Sequence, residues 1–168
     1  MQEVSIRNKW ISIGGSSTVK DMNEKDVLIV KGKFWTWTRK KFVKDLEGNL
    51  LFTVRNKFWT WFARKALVYD KDNNLVATVR RKIFSFHDRY FIDSPLGNLE
   101  IKGNILLFNY QILLNGEEVG HIARKISLRD SFVLSLKDGL DLPFFVAFVI
   151  AIDNITDRRR EQNSSYND

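Results

Sequence analysis

Hydrophobic residues are distributed along the chain in two different ways. Up to about residue 136, large apolar residues alternate with polar ones in short segments, which is the period-two pattern of half-buried β-strands. Residues 142–152, Leu-Pro-Phe-Phe-Val-Ala-Phe-Val-Ile-Ala-Ile, contain no polar side chain. Asp141 before them is a suitable helix N-cap, and Pro143 is tolerated in a first helical turn. The pattern predicts many strands followed by one helix, over about residues 141–156.

The apolar stretch leaves no polar face on the predicted helix, so that helix must be surrounded on all sides. The surroundings are either a protein core or a bilayer. Crossing a bilayer takes about 20 apolar residues, and the stretch has only eleven. Its length favours a helix buried inside the protein, with the rest of the chain forming a wall around it.

The strand-like part of the chain contains an internal repeat of about 24 residues. Each copy has an apolar segment similar to Phe-Trp-Thr-Trp, a turn rich in Asp, Asn and Gly, and often a basic cluster such as Lys31-Gly32-Lys33. The apolar segments begin at Trp10, Phe34, Phe58 and Ile83, with weaker copies at Ile105 and Ile126. Six copies of two strands each predict twelve strands. We place them at 4–13, 17–21, 27–37, 41–45, 50–61, 66–70, 75–86, 89–93, 98–107, 109–114, 119–128 and 131–136.

Twelve strands and one apolar helix predict a specific architecture. Short connections imply antiparallel neighbours, and a barrel wider than eight strands has an interior to fill. A helix with its side chains is about 10–12 Å across, which suits such an interior. We therefore expect a mostly β protein, a twelve-stranded antiparallel closed barrel around a central, C-terminal hydrophobic helix. The predicted domain is 1–157, followed by a disordered polar tail over 158–168.

The repeated Lys-Gly-Lys-Phe-Trp-Thr-Trp-like strand, the Asp-x-x-Gly-Asn turns and the closing apolar helix resemble the LURP-one-related family. The resemblance spans about Trp10 to Ile155, and the size is similar to the small bacterial members of that family. The family is grouped with the tubby C-terminal and phospholipid-scramblase domains, which implies the same barrel around a central helix. Tubby domains bind phosphoinositide headgroups and scramblases are linked to phospholipid movement, but no binding residue of theirs aligns with a position here, and fold transfers better than function.

Residues that could support catalysis or metal binding are sparse. Cysteine is absent, and His87 and His121 lack neighbours with the spacing of a ligand set. The segment from Asp70 to Asn74 resembles the start of a calcium loop, but Leu75 and Arg81 stand where that loop needs glycine and glutamate. We expect no enzyme activity, no metal site and no cofactor.

Charge is the sequence feature with the most functional content. The net charge is +7 and the sequence pI is about 9.7. Alternating strands place the Asp-rich turns at one end of the barrel and a group of basic turns at the other. The candidate residues for binding an anionic phospholipid headgroup or membrane surface are Arg39, Lys40, Lys41, Arg64, Lys65 and Arg129. The simpler interpretation is that these side chains only keep strand edges and turns hydrated.

Three functions of different classes are compatible with the sequence. The first is a non-enzymatic module that docks its basic end on anionic phospholipid or another phosphate-bearing partner. The second is a structural or protein–protein interaction domain. The third is nucleic-acid binding, which is disfavoured because the aromatic rows are predicted to point inward rather than beside a basic groove. The N-terminus lacks the apolar region of a signal peptide, so the expected location is cytoplasmic, at the membrane surface if the basic end docks there.

The helix sequence also predicts how it fits the barrel. It should enter at the acidic end and finish at the basic end, where cations would neutralise Asp153 and Asp157 near its C-terminus. Ala147 and Ala151 share one helix face. That face is predicted to meet the bulkiest part of the wall, formed by Trp35, Trp37, Trp59 and Trp61.

Overall fold

The computed structural model describes residues 1–7, 16–32, 40–57, 65–82, 88–104, 109–125 and 131–164. Within them lie twelve strands and one helix. The strands are β1 (Gln2–Arg7), β2 (Ser16–Asp21), β3 (Asp26–Gly32), β4 (Lys41–Lys44), β5 (Leu50–Asn56), β6 (Lys65–Asp70), β7 (Leu75–Arg81), β8 (Asp88–Ser94), β9 (Gly97–Asn104), β10 (Asn109–Leu114), β11 (Glu117–Lys125) and β12 (Ser131–Leu136). The helix is α1 (Leu142–Ser164).

The strands form a closed barrel in which each strand pairs with its neighbours in the chain. Every pairing is antiparallel, and β1 closes the ring against β12, with Val4 opposite Leu134 and Ile6 opposite Phe132. Alternate residues point into the barrel, as in β3, where Leu28 and Val30 are buried. The predicted fold class and number of strands are therefore confirmed.

The repeated turns share one hydrogen-bonding pattern, which explains the Asp and Asn residues of the repeat. Asp45 and Asp70 each donate their backbone N–H to the carbonyl of Asn49 and Asn74, respectively. The carboxylate of each aspartate in turn accepts the backbone N–H of the same asparagine, at 2.8 Å in both turns. Gly48 and other residues at these tips have positive φ, which glycine and asparagine tolerate.

The predictions 27–37, 50–61 and 75–86 joined each strand to the aromatic segment that follows it. The described parts of β3, β5 and β7 run to Gly32, Asn56 and Arg81. The aromatic segments that follow lie outside the described residues. Consequently the prediction that Trp35, Trp37, Trp59 and Trp61 face the helix lies outside them as well.

The helix begins as predicted but ends later. The carboxylate of Asp141 accepts the backbone N–H of Phe144 at 3.1 Å, which confirms it as the N-cap. The end was predicted near residue 156 and is at Ser164, so residues 158–164 are helical where a disordered tail was predicted. Arg, Glu and Gln are good helix formers, so this polar segment extends a helix that the barrel already holds.

The helix fills the barrel. Every residue from Phe144 to Thr156 is buried. Its backbone lies nearest β5 and β6, and Phe144 stacks on Phe52 of β5 with ring centroids 5.1 Å apart. At 100° per residue, Ala147 and Ala151 lie on the same side of the helix as Phe144. Small side chains on that side permit the close approach to the wall.

Candidate functional site

The two ends of the barrel differ in chemistry. One end, here called the turn end, carries the Asp-rich hairpin turns such as Asp45–Asn49 and Asp70–Asn74. The helix begins there, since Asp141 follows β12 and Asp138 binds the amino group of Met1 at 2.5 Å. The opposite end, here called the basic end, receives the C-terminal half of α1. The predicted direction of the helix is confirmed.

A buried polar layer joins the helix to the wall at the basic end. Three contacts form it. The Lys41 ammonium lies 3.8 Å from the Asp153 carboxylate, with side-chain exposures of 12% and 7%. The Asn56 side-chain amide donates to the carbonyl of Asn154 at 3.3 Å, and the hydroxyls of Tyr90 and Thr156 are 3.3 Å apart. Hydrophobic packing alone would let an apolar helix slide or rotate, whereas these directional contacts fix its position.

A second ion pair lies in the wall beside this layer. The Arg81 guanidinium donates to the Asp88 carboxylate, with 2.9 Å from Nε to Oδ1, and both side chains are almost fully enclosed. Burial, with smaller contributions from Tyr90 and Asp88, raises the pKa of the neighbouring Tyr110 far above its ordinary value. Tyr110 is therefore a neutral hydroxyl at physiological pH, and the layer contains paired charges and neutral groups.

A small cavity lies between the helix and the wall. Among the described residues it is lined by Tyr110, Phe132, Val149 and Asp153, and its volume is about 20 Å³. This volume holds about one water molecule, so this cavity does not accommodate an organic ligand.

The structure describes three of the six candidate anion-binding residues, and it separates them. Lys41, predicted as a candidate for binding an anionic headgroup, shares the inward phase of Val43 in β4 and pairs with Asp153. Lys40 is half-buried, with its ammonium 5.5 Å from the ring centroid of Phe42. Lys65 is half-buried at the start of β6. Arg39, Arg64 and Arg129 lie outside the described residues.

Other cations at the basic end were missed among the site predictions. Lys57 and Lys82 are exposed, directly after β5 and β7. Lys57 donates its backbone N–H to the carbonyl of Lys65, and Lys82 does the same to Arg89, so each hairpin brings two cations together. The signal was the basic cluster that precedes each aromatic segment of the repeat. Within the described ranges, neither Lys57, Lys65 nor Lys82 has a carboxylate within 4 Å.

In the described part of the chain, no group of three or more His, Cys, Asp or Glu could hold a metal ion. No helix there is long and apolar enough to cross a membrane.

Comparison with known proteins gives a family and a fold. The family model described as LURP-one-related matches residues 2–153. An X-ray structure of a protein from Arabidopsis thaliana is similar, with a TM-score of 0.67 and 17% identity, over 92% of this chain and 91% of that chain. No curated protein matches. At this identity the structural similarity establishes the fold alone.

Proposed function

The chain belongs to the LURP-one-related family, and from that premise we propose that it is a non-enzymatic binding module whose basic end docks on an anionic phospholipid surface. The observation that carries the proposal is the set of lysines at the openings of two successive hairpins, β5–β6 and β7–β8. Lys57, Lys65 and Lys82 have no carboxylate within 4 Å among the described residues, so their charges are available to a partner.

The buried helix favours docking at a surface over uptake of a lipid. Every residue from Phe144 to Thr156 is buried, and the cavity lined by Tyr110, Phe132, Val149 and Asp153 holds about one water molecule. This cavity cannot take an acyl chain, which supports contact through headgroups at the barrel end.

The expected affinity is low. Each Lys or Arg near an anionic membrane contributes about 1 kcal/mol, so Lys57, Lys65 and Lys82 supply about 3 kcal/mol. This corresponds to a dissociation constant above about 1 mM from these residues alone. The helix continues past the buried layer to Ser164, and the sequence of this part includes Arg158, Arg159 and Arg160 between Asp157 and Glu161. Binding should be reversible and sensitive to salt.

The test is co-sedimentation with vesicles of phosphatidylcholine, with and without phosphatidylserine, at about 20 mM and about 150 mM salt. The wild type is expected to bind only the anionic vesicles, and more weakly at the higher salt. The variant Lys57→Glu/Lys65→Glu/Lys82→Glu should lose about 100-fold or more in affinity, since at least about 3 kcal/mol is removed.

The matched control reverses three exposed lysines at the turn end, in Lys25→Glu/Lys71→Glu/Lys137→Glu. Each triple variant lowers the net charge by six, from +7 to +1. If the basic end is the docking surface, the control binds anionic vesicles much better than the basic-end variant. Equal loss in the two variants would mean that only net charge matters, and absence of wild-type binding would refute the proposal.

A further inference from the structure

The repeat places a cation at the same outward position of four alternate strands. These cations, here called the collar, are Lys31, Arg55, Arg80 and Lys102, at intervals of 24, 25 and 22 residues. Each directly follows an inward, buried residue of its strand, and successive residues of a strand point to opposite faces, so the collar lies on the outside of the barrel. Because β3, β5, β7 and β9 all run toward the basic end, the collar surrounds that end.

Carboxylates neutralise the part of the collar on β7 and β9. The Arg80 guanidinium lies 2.7 Å from the Asp93 carboxylate. The Lys102 ammonium lies 3.3 Å from the Glu100 carboxylate, which is also 3.8 Å from the guanidinium of Arg89. An anionic partner would meet carboxylates as well as cations on this side of the barrel, so it would gain little there.

The collar keeps its charge on β3 and β5. Among the residues that the structure describes, no carboxylate lies within 4 Å of Lys31 or Arg55. Strand β6 pairs with β5, and the backbone of Lys57 bonds that of Lys65, so these two lysines continue the same positive surface to the rim. We call this surface, formed by Lys31, Arg55, Lys57 and Lys65, the shoulder. The barrel therefore carries its unneutralised charge on one side of the basic end.

The contacts of Arg55 favour a flat anionic surface over single-stranded nucleic acid. Its guanidinium donates to the Tyr69 hydroxyl, and its Cζ lies 4.4 Å from the centroid of the Tyr69 ring. This contact leaves the positive charge unneutralised but covers the ring. Proteins that bind single strands stack bases on open aromatic rings beside cations, and the Tyr69 ring is not open. The outside of a closed barrel is also convex, which suits an extended surface better than an inserted strand.

We infer that the barrel docks on an anionic bilayer in a tilted orientation, with the shoulder against the headgroups and β9–β12 facing away from them. The inference rests on the proposed membrane docking and specifies the surface that performs it. An upright barrel would present only the lysines at its end. Tilting toward β3–β6 adds Lys31 and Arg55, each of which contributes about five-fold in affinity near an anionic membrane.

Two double variants remove the same charge from the two halves of the collar. Lys31→Gln/Arg55→Gln takes it from the shoulder and Arg80→Gln/Lys102→Gln from the neutralised half, and each lowers the net charge from +7 to +5. Binding to vesicles of phosphatidylcholine and phosphatidylserine is measured at about 20 mM salt, where screening is weak. The shoulder variant should lose about 30-fold in affinity and the control less than about three-fold. Lys31→Arg/Arg55→Lys, which keeps both charges, should bind as the wild type does.

A fluorescent label reports the orientation directly, because the chain contains no cysteine and a single one can be introduced at a chosen site. Leu67→Cys and Val133→Cys are matched sites. Each is the third residue of its strand, half-buried and pointing outward, and β6 and β12 lie opposite each other in the ring of twelve strands. With a nitrobenzoxadiazole dye attached, anionic vesicles should shift the emission to shorter wavelength at residue 67 and leave it unchanged at residue 133.

Several results would overturn the inference. Equal losses in the two double variants, or equal dye shifts at the two labelled sites, would mean that the barrel docks upright or in no fixed orientation, while membrane docking itself would stand. Binding of a short DNA duplex in place of vesicles, with the same dependence on Lys31 and Arg55, would make nucleic acid the partner of the shoulder. Absence of wild-type binding to anionic vesicles would refute both the tilted orientation and the proposed function.

Discussion

Replacing Lys41 with methionine tests whether the buried pair with Asp153 fixes the helix in the barrel. Methionine retains most of the aliphatic side chain and removes the charge. The two charged groups are 3.8 Å apart with 12% and 7% side-chain exposure. With an effective dielectric constant of about 20, their Coulomb attraction is about 4 kcal/mol. Removing one member of a buried pair costs about 3–5 kcal/mol in other proteins, and this pair is long, so we expect a loss of about 2–4 kcal/mol in the free energy of unfolding.

Urea unfolding followed by circular dichroism measures this loss directly. For a domain of this size, about 2–4 kcal/mol lowers the melting temperature by about 4–16 °C. Lys57→Met is the control, because Lys57 is exposed and its replacement should change the free energy of unfolding by less than about 0.5 kcal/mol. The double variant Lys41→Met/Asp153→Leu should recover part of the lost stability, since it removes the buried carboxylate together with its cation.

Two results would refute this reasoning. If Lys41→Met unfolds within about 0.5 kcal/mol of the wild type, the pair does not stabilise the helix. If the double variant is no more stable than Lys41→Met, the loss did not come from the charge left on Asp153.

Two further predictions concern the core and the turns. Ala147→Leu, on the buried helix face nearest β5 and β6, should overpack that contact and lower the free energy of unfolding by about 1–3 kcal/mol; an unchanged urea midpoint would show that this side has spare room. The pKa values of Asp45 and Asp70 are lowered, chiefly by hydrogen bonds from the side chains of Asn49 and Asn74. Each carboxyl has a lower pKa in the folded state than in the unfolded state, so it adds to the free energy of unfolding at pH values above the unfolded-state pKa. This contribution is lost as the pH falls through the folded-state pKa. The difference in urea midpoint between the wild type and Asp45→Asn/Asp70→Asn should therefore be present at pH 7 and shrink below about pH 4, and a difference independent of pH would contradict this.

The sequence predicted the architecture well because the repeat encodes it twice, in the alternation of apolar residues and in the turns. An apolar stretch as short as 142–152 has few stable environments, and enclosure by strands was the one that the length allowed. The end of the helix could not be predicted in the same way. Residues 157–164 are polar, and by composition alone they resemble a disordered tail. They are helical because they continue a helix that has already formed before them.

The basic end was harder to predict than the fold. Lys41 was placed in the candidate site because of its charge. It is two residues before the inward-facing Val43, so the alternation of the strand predicts that Lys41 faces inward as well. That pattern was the better guide to its position. Lys57 and Lys82 belong to the basic clusters of the repeat, which were used to define the repeat and not as candidate binding residues.

The pairing of β1 with β12 has a consequence for the order of folding. The ring closes through contacts between residues more than 120 positions apart, such as Val4 with Leu134, and such non-local contacts slow folding. The helix that fills the ring follows β12 in the chain. A ring that closed before the helix entered would shut the helix out. The edges of β1 and β12 therefore stay unpaired until the helix is available. We therefore expect helix docking and ring closure to occur in one cooperative step, and a chain that stops before Asp141 to remain open-edged and prone to aggregation.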